Sequence, residues 1–341
     1  MRILTLLAGA PDGGAETFFV TLSGAFVRSG HEVHAVIRRN PPRAASLRDA
    51  GVRVTETAFG GWLDLQTRRA LGRTIAGFHP DAALSFMSRA SAFMPREAFP
   101  KVARLGGFYD LKYFRRCDHL VCITEGIRRH VIDQGWPAER ASVIANFAEP
   151  DASAPADRAT LGTPADAPVV FTPARLHTAK ALDVLLKAVA RLDGVHLWIA
   201  GSGPEEQALK ALADDLGVAD RVVFLGWQVG TGAYFRSCDV VAFPSRHEPF
   251  GTVTMEAWAY GKPLVVSDAD GPAEFVTPEV DALMVPCEAV EPLAEALHRA
   301  IEDKALAARL VANATERHGR HFTREACVRS FIDVFERLSV V

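Results

Sequence analysis

The chain is expected to fold as α/β, with two doubly wound parallel-sheet domains of similar size facing each other across a cleft. Three observations predict this. Short β-branched runs alternate with helix-period segments from one end of the 341 residues to the other. A stretch rich in Pro and small residues, 151–168, interrupts the alternation once, and the alternation then restarts. Glycine turns recur where strands give way to helices, the edge at which open parallel sheets bind ligands.

The first domain is expected over 1–150, with strands at 3–7, 32–37, 52–56, 83–86, 102–105, 119–123 and 142–145. Helices at 15–29 and 63–78 lie between them. Residues 151–168 read as a linker, and the second domain follows over 169–322. Its strands fall at 169–172, 196–200, 221–225, 240–243 and 264–267, with helices at 181–192, 205–216 and 254–260. Residues 323–341 carry Ala326, Phe331, Val334 and Phe335 on one helical face. That helix is expected to pack back on the first domain.

Composition narrows the class. Hydrophobic residues make up 49% and charged residues 23%, which fits a globular chain and excludes a disordered one. No apolar run is long enough to span a bilayer. The N-terminal apolar run reads as a first strand rather than a leader. Five scattered cysteines read as reduced, buried thiols, so the expected location is cytoplasmic. Residues 1–150 hold 20 Lys and Arg against 14 Asp and Glu, while the remainder holds 18 against 27. The basic half implies either an anionic partner, including the inner face of a membrane, or merely solvated helix faces. No nucleic-acid partner is expected.

The most informative stretch runs from Pro244 to Pro263. Glu248 and Glu256 flank a loop-to-helix junction with seven residues between them. Gly251 allows close backbone approach before the helix, and Gly261 and Pro263 end it. A helix N-terminus at the carboxyl edge of a parallel sheet suits an anion. Two carboxylates beside it suit a ligand that carries hydroxyls as well as phosphate, because carboxylates accept strong hydrogen bonds from diols.

Other segments converge on the same edge. Arg175 and Lys180 bracket a loop after the 169–172 strand and could neutralise a diphosphate. Gly201 lies in a turn after the next strand. Trp227 and Gln228 follow another strand end, where they either wall a flat base or pack ordinarily. Gly13 and Gly14 precede the first helix, as a turn or as an anion approach, without the three-glycine dinucleotide spacing. Asp268 and Asp270 read as loop residues rather than metal ligands. His318 and His321 lack a third ligand and read as surface histidines. No Ser-His-Asp set is apparent.

The Glu248-Pro249-Phe250-Gly251…Glu256-Ala257 segment resembles the E-x7-E motif of retaining GT-B glycosyltransferases of family 4, the group 1 glycosyl transferases. The resemblance continues through Gly261–Asp268 and Glu274, and through Arg175–Lys180, Gly201–Pro204 and Phe224–Gly226. It is strongest over residues 169–300 and looser around Gly13–Glu16 and Gly30–Val33. It implies transfer of a sugar from a nucleotide-diphosphate donor to a glycan or lipid-linked acceptor in cell-envelope polysaccharide or lipopolysaccharide synthesis, with no metal and no cofactor. Glu256 would bind the ribose. Glu248 would meet the transferred sugar together with the backbone of Phe250 and Gly251. Arg175 and Lys180 would stabilise the leaving diphosphate. Gly13, Gly14, Gly201, Trp227 and Thr252 would complete the donor site.

One departure stands out. Many relatives carry a histidine in the first domain, and the matching segment here, Arg104–Asp110, has none. Arg89, Tyr109 or Asp110 are the candidates to take over its contact with sugar or acceptor. A sugar phosphorylase, a nucleotide-sugar epimerase or a non-catalytic nucleotide-sugar-binding protein on the same fold remain alternatives.

Overall fold

The computed structural model describes residues 1–11, 13–61 and 63–339. It divides into two compact units, Met1–Asn146 with Arg324–Val341, and Phe147–Thr323. The first unit is built from β1 (Arg2–Leu7), α1 (Gly14–Arg28), β2 (Glu32–Arg38), α2 (Pro41–Asp49), β3 (Arg53–Thr57), α3 (Leu65–Phe78) and β4 (Ala82–Phe86). It continues with α4 (Met87–Ala92), β5 (Lys101–Leu105), β6 (His119–Cys122), α5 (Glu125–Asp133) and β7 (Ala141–Val143). Its strands pair in parallel in the order β3-β2-β1-β4-β5-β6-β7. The order reverses between β1 and β4. Central strands such as β1 and β4 are buried on both faces, which is why they read as unbroken apolar runs rather than alternating ones.

The second unit contains β8 (Val169–Pro173), α6 (Leu182–Val189), β9 (His196–Ala200), α7 (Glu206–Asp215), β10 (Val222–Gly226), α8 (Gly232–Ser237) and β11 (Val240–Phe243). After these come α9 (Thr252–Ala259), β12 (Leu264–Ser267), α10 (Asp270–Phe275), β13 (Leu283–Val285), α11 (Val290–Glu302) and α12 (Lys304–His321). The parallel order is β10-β9-β8-β11-β12-β13, so this sheet switches between β8 and β11. Most expected elements agree with these bounds to within two residues. In the second unit the structure adds α8, α10, β13, α11 and α12.

Residues 151–168 lie in the second unit. Arg158 donates to the Ser237 carbonyl at 2.7 Å and pairs with Asp239 at 2.9 Å. The Trp198 indole donates to Thr163 at 3.0 Å. A Pro-rich composition signals a lack of regular structure, but it cannot show these long-range partners. His318 corrects another expectation. It is buried, and its Nε2 lies 3.0 Å from the Ala148 carbonyl. It continues the Leu310–Ala314 stripe of α12, so it sits on that helix's inner face. His321 is exposed, as expected of a surface histidine. Four cysteines are buried and Cys287 is partly exposed, all of them free. Among the described residues, no helix is long and apolar enough to cross a membrane.

The last helix, α13 (Arg324–Ser339), belongs to the first unit, while residues 340 and 341 lie outside the described residues. Phe331 and Phe335 are fully buried, with ring centroids 6.0 and 6.4 Å from that of Phe26 on α1. The first unit therefore closes its core with residues nearly two hundred positions beyond its last strand. Phe331→Ala should destabilise the first unit by about 3–5 kcal/mol. Denaturant unfolding followed in that unit would read this, and a cost near zero would show that α13 is not part of its core.

Candidate functional site

The switch point of the second sheet gathers the residues singled out in its sequence. β8 ends at Pro173, and Arg175 follows it exposed to solvent. Among the described residues its guanidinium has no ion-pair or hydrogen-bond partner. The chain then makes a short 3-10 turn, Thr178–Lys180, before α6. β11 ends at Phe243, and its loop carries Glu248 to the start of α9. Lys180 Nζ donates to Glu248 Oε2 at 2.5 Å. The other carboxylate oxygen, Oε1, accepts from the backbone N–H groups of Gly251 at 3.0 Å and Phe250 at 3.3 Å. The carboxylate thus bridges a cation and the amino end of α9, where the helix dipole favours negative charge. Gly251 precedes the helix at φ 88°, a left-handed conformation that a side chain would strain.

Arg246 was not singled out in the sequence, and it fastens this arrangement. Its guanidinium pairs with both oxygens of Asp183 at 2.8 Å, with Glu288, and with the Thr178 carbonyl at 2.6 Å. The hydrogen bonds to Asp183 and then Glu288 hold its proton more firmly than usual. The backbone N–H groups of Arg246 and His247 also donate to the Ala179 carbonyl. The Lys180 turn and the Glu248 loop are therefore tied at several points, and the ammonium and carboxylate meet in a fixed place. A sequence signal existed only in retrospect: Arg246 stands two residues before Glu248.

Glu256 behaves differently. It lies in the second turn of α9, partly exposed by area, yet burial of its carboxyl lifts its pKa to about 7. Among the described residues its carboxylate has no hydrogen-bond or ion-pair partner. A desolvated acceptor without a partner is suited to a ligand's hydroxyl groups. Thr252, the first residue of α9, is partly exposed beside this turn. Phe250 is buried, so its backbone, not its ring, faces Glu248.

Two glycines of the β9 turn serve packing. A Cβ at Gly201 would overlap the Ala174 carbonyl, and one at Gly203 would overlap that of Leu176. Their absence lets the turn lie against the backbone that presents Arg175, with Leu176 N donating to Ser202 O at 3.0 Å. Trp227 is 69% exposed, which excludes ordinary packing. Gln228 turns inward, donating to Leu225 O and accepting from Tyr234. Asp268 accepts from the Cys287 N–H at 2.8 Å, and Asp270 opens α10.

In the first unit, Gly13 precedes α1 and Gly14 begins it. The Glu16 carboxylate fills this turn: it accepts from Ala10 N at 2.7 Å, and a Cβ at Gly9 or Gly13 would overlap it. A Cβ at Gly14 would meet nothing within 4 Å. Arg89 is exposed on α4. Asp110 is exposed, accepts from Lys112 N and pairs with the Lys112 ammonium at 2.8 Å, so it caps its own turn. Tyr109 is partly buried, and desolvation raises its hydroxyl's pKa. Arg104, one residue before the end of β5, is 1% exposed, bonded to Asn146 and held over the rings of Phe18 and Phe86 at 4.6 and 4.9 Å. Desolvation pushes its guanidinium down to about 10.

Comparison with known proteins follows the same division. The family model described as Glycosyl transferases group 1 matches residues 153–317, and that of Glycosyltransferase Family 4 matches residues 12–152. The lipopolysaccharide core biosynthesis glycosyltransferase LpsD of Rhizobium meliloti is 36% identical over 99% of this chain and 98% of its own. LpsE of the same organism is 39% identical over 95% of this chain and 96% of its own. The crystal structure of Anabaena Alr3699/HepE in complex with UDP superposes with a TM-score of 0.86. It covers 99% of this chain and all of that one, at 22% identity.

The raised Glu256 predicts a pH signature. An acid whose pKa lies near 7 folded and near 4.5 unfolded keeps its proton longer in the native state. Stability is then full below about pH 4.5 and falls as pH rises to about 7. Glu256→Gln should remove that slope and raise stability at pH 8 by about 1–3 kcal/mol, the upper bound being discounted for partial exposure. Thermal melts of both proteins across pH 4–9 check this, and parallel curves would refute it.

Proposed function

The chain belongs to the family 4, group 1 glycosyltransferases, and from that premise we propose that it is a retaining, metal-independent transferase. It moves a sugar from a nucleoside-diphosphate donor to a hydroxyl of a lipopolysaccharide-core or related envelope glycan. One observation carries the reading. At the switch point of the second sheet, the partnerless carboxylate of Glu256 stands on the same short helix whose amino end holds Glu248 and Lys180. A nucleotide sugar presents diol, diphosphate and sugar hydroxyls, and these residue types answer each in turn. The relatives' role in lipopolysaccharide core synthesis supports the acceptor class.

Glu256 accepts from the ribose diol and Trp227 offers its exposed face to the base. Arg175, free of partners, and Lys180 receive the diphosphate. As the bond from the sugar's anomeric carbon to phosphate oxygen breaks, negative charge grows on that oxygen, and the two cations stabilise it. The acceptor oxygen bonds the anomeric carbon from the face the diphosphate leaves, and its proton passes to the leaving phosphate. The anomeric configuration is retained. Glu248, fixed by Lys180 and two backbone N–H groups, accepts from the sugar's hydroxyls and sets its orientation. Fixed protein cations supply the charge that a metal would otherwise provide.

Arg175→Ala should lower kcat by about 10²–10³. Glu256→Ala should act mainly through a higher KM for the donor. Transfer should persist in EDTA, and NMR of the product should show the donor's anomeric configuration. An inverted product, or full activity in both variants, would overturn the reading.

A further inference from the structure

In the first unit, three arginines converge on the segment that follows α4. Arg68, in the first turns of α3, lays its guanidinium over the Phe93 ring at 5.3 Å. Arg116, after β5, donates from Nη1 to the Met94 carbonyl at 3.2 Å. Arg96 lies two residues further along the same segment. The loop after β3 joins them, since Phe59 meets Phe93 edge-on with 5.4 Å between ring centroids. Arg116 is half-buried, and after desolvation the charges of Arg68 and Arg96 act on it to weaken its hold on its proton. Among the described residues, none of the three is ion-paired. Asp64, the acid nearest Arg68 in sequence, is occupied in capping α3 through Thr67 and Gly60.

Three like charges brought together with no carboxylate paired to them, Glu97 beside Arg96 included, cost free energy unless an anion joins them. α3 begins just after the carboxyl end of β3, while the segments carrying Met94 and Arg116 lead into β5 and β6, and the three segments meet beside Phe93. We propose that Arg68, Arg96 and Arg116 form a subsite for an anionic substituent, a phosphate or carboxylate, on the acceptor glycan. Two of the guanidinium groups are tethered, one on a ring and one on a carbonyl. Such fixed forks suit one discrete oxyanion, whereas a membrane surface is met by mobile, dispersed charge. The proposal rests on the transferase reading for the word acceptor; the anion binding itself does not.

The test is calorimetric titration with glucose 6-phosphate and with glucose, in an Arg175→Ala background so that the unpaired guanidinium beside the second unit's site adds no signal. The sugar phosphate should bind at least ten-fold more tightly than the sugar, and Arg116→Gln should erase the difference. Arg68→Gln/Arg96→Gln, both at exposed positions, should do the same if Arg116→Gln fails to fold. UDP and GDP titrations serve as the parallel control: relative to the protein with Arg175 intact, the Arg68, Arg96 and Arg116 variants should leave them unchanged, and Glu256→Ala should weaken them without touching sugar-phosphate binding. Loss of nucleotide binding alone would count against the donor site and not against this subsite. Equal binding of phosphorylated and plain sugar, or a difference that survives both variants, would overturn the proposal. So would arginine-dependent sedimentation with phosphatidylglycerol vesicles, but not phosphatidylcholine vesicles, in the absence of sugar-phosphate binding. That outcome would assign the cluster to a membrane surface.

Discussion

The bridge from Lys180 through the Glu248 carboxylate to the N–H groups of Phe250 and Gly251 is the constraint on which the second unit's site depends. It joins the ends of β8 and β11, the two strands at which the sheet reverses. A carboxylate at a helix N-terminus satisfies backbone donors that would otherwise lack partners, and the nearby ammonium offsets its charge. Arg246 then fixes both flanking segments through Asp183, Glu288 and the Thr178 carbonyl. Among the described residues, Arg175 and Glu256 stand beside this fixed frame without partners, one cationic and one anionic, and they are the groups proposed to meet the donor's diphosphate and ribose.

The first unit repeats the device with different parts. Its sheet reverses between β1 and β4, α1 begins just beyond β1, and Glu16 folds back to accept from Ala10 N. In each unit a carboxylate of the chain itself occupies the turn at the switch point. The glycines around it are there in part because a Cβ would collide with that carboxylate or with neighbouring backbone. A glycine-rich turn beside a helix is thus read too simply as an open anion site. Gly14, whose added Cβ would meet nothing, is the position where that simple reading still fits.

Much of the fold was legible. Buried parallel strands give unbroken β-branched runs, helices give a different period, and the 151–168 interruption falls close to the division between units. The Glu248–Glu256 spacing was legible for a related reason: a strand, a glycine and a short helix leave few places for two acids to go. Other features were not legible. His318 is inside because α12 turns that face inward. Residues 151–168 hold to the second unit through Arg158 and Thr163, whose partners are tens of residues away. Asp110, a candidate for the missing histidine's contact, is engaged with Lys112.

The amino-acid order alone carries the α/β class, the alternation of strands and helices, and the placing of Glu248 and Glu256 on one loop-helix junction. These depend on periodicity and short spacing, which the chain carries locally. Which charges are spoken for is a property of the folded chain. The fold pairs Lys180 with Glu248, gives Arg246 two acids, leaves Arg175 and Glu256 without partners among the described residues, and draws Arg68, Arg96 and Arg116 around one segment. The electrostatic character of a side chain depends on its neighbours in space, and those neighbours come from strands and turns far apart along the chain.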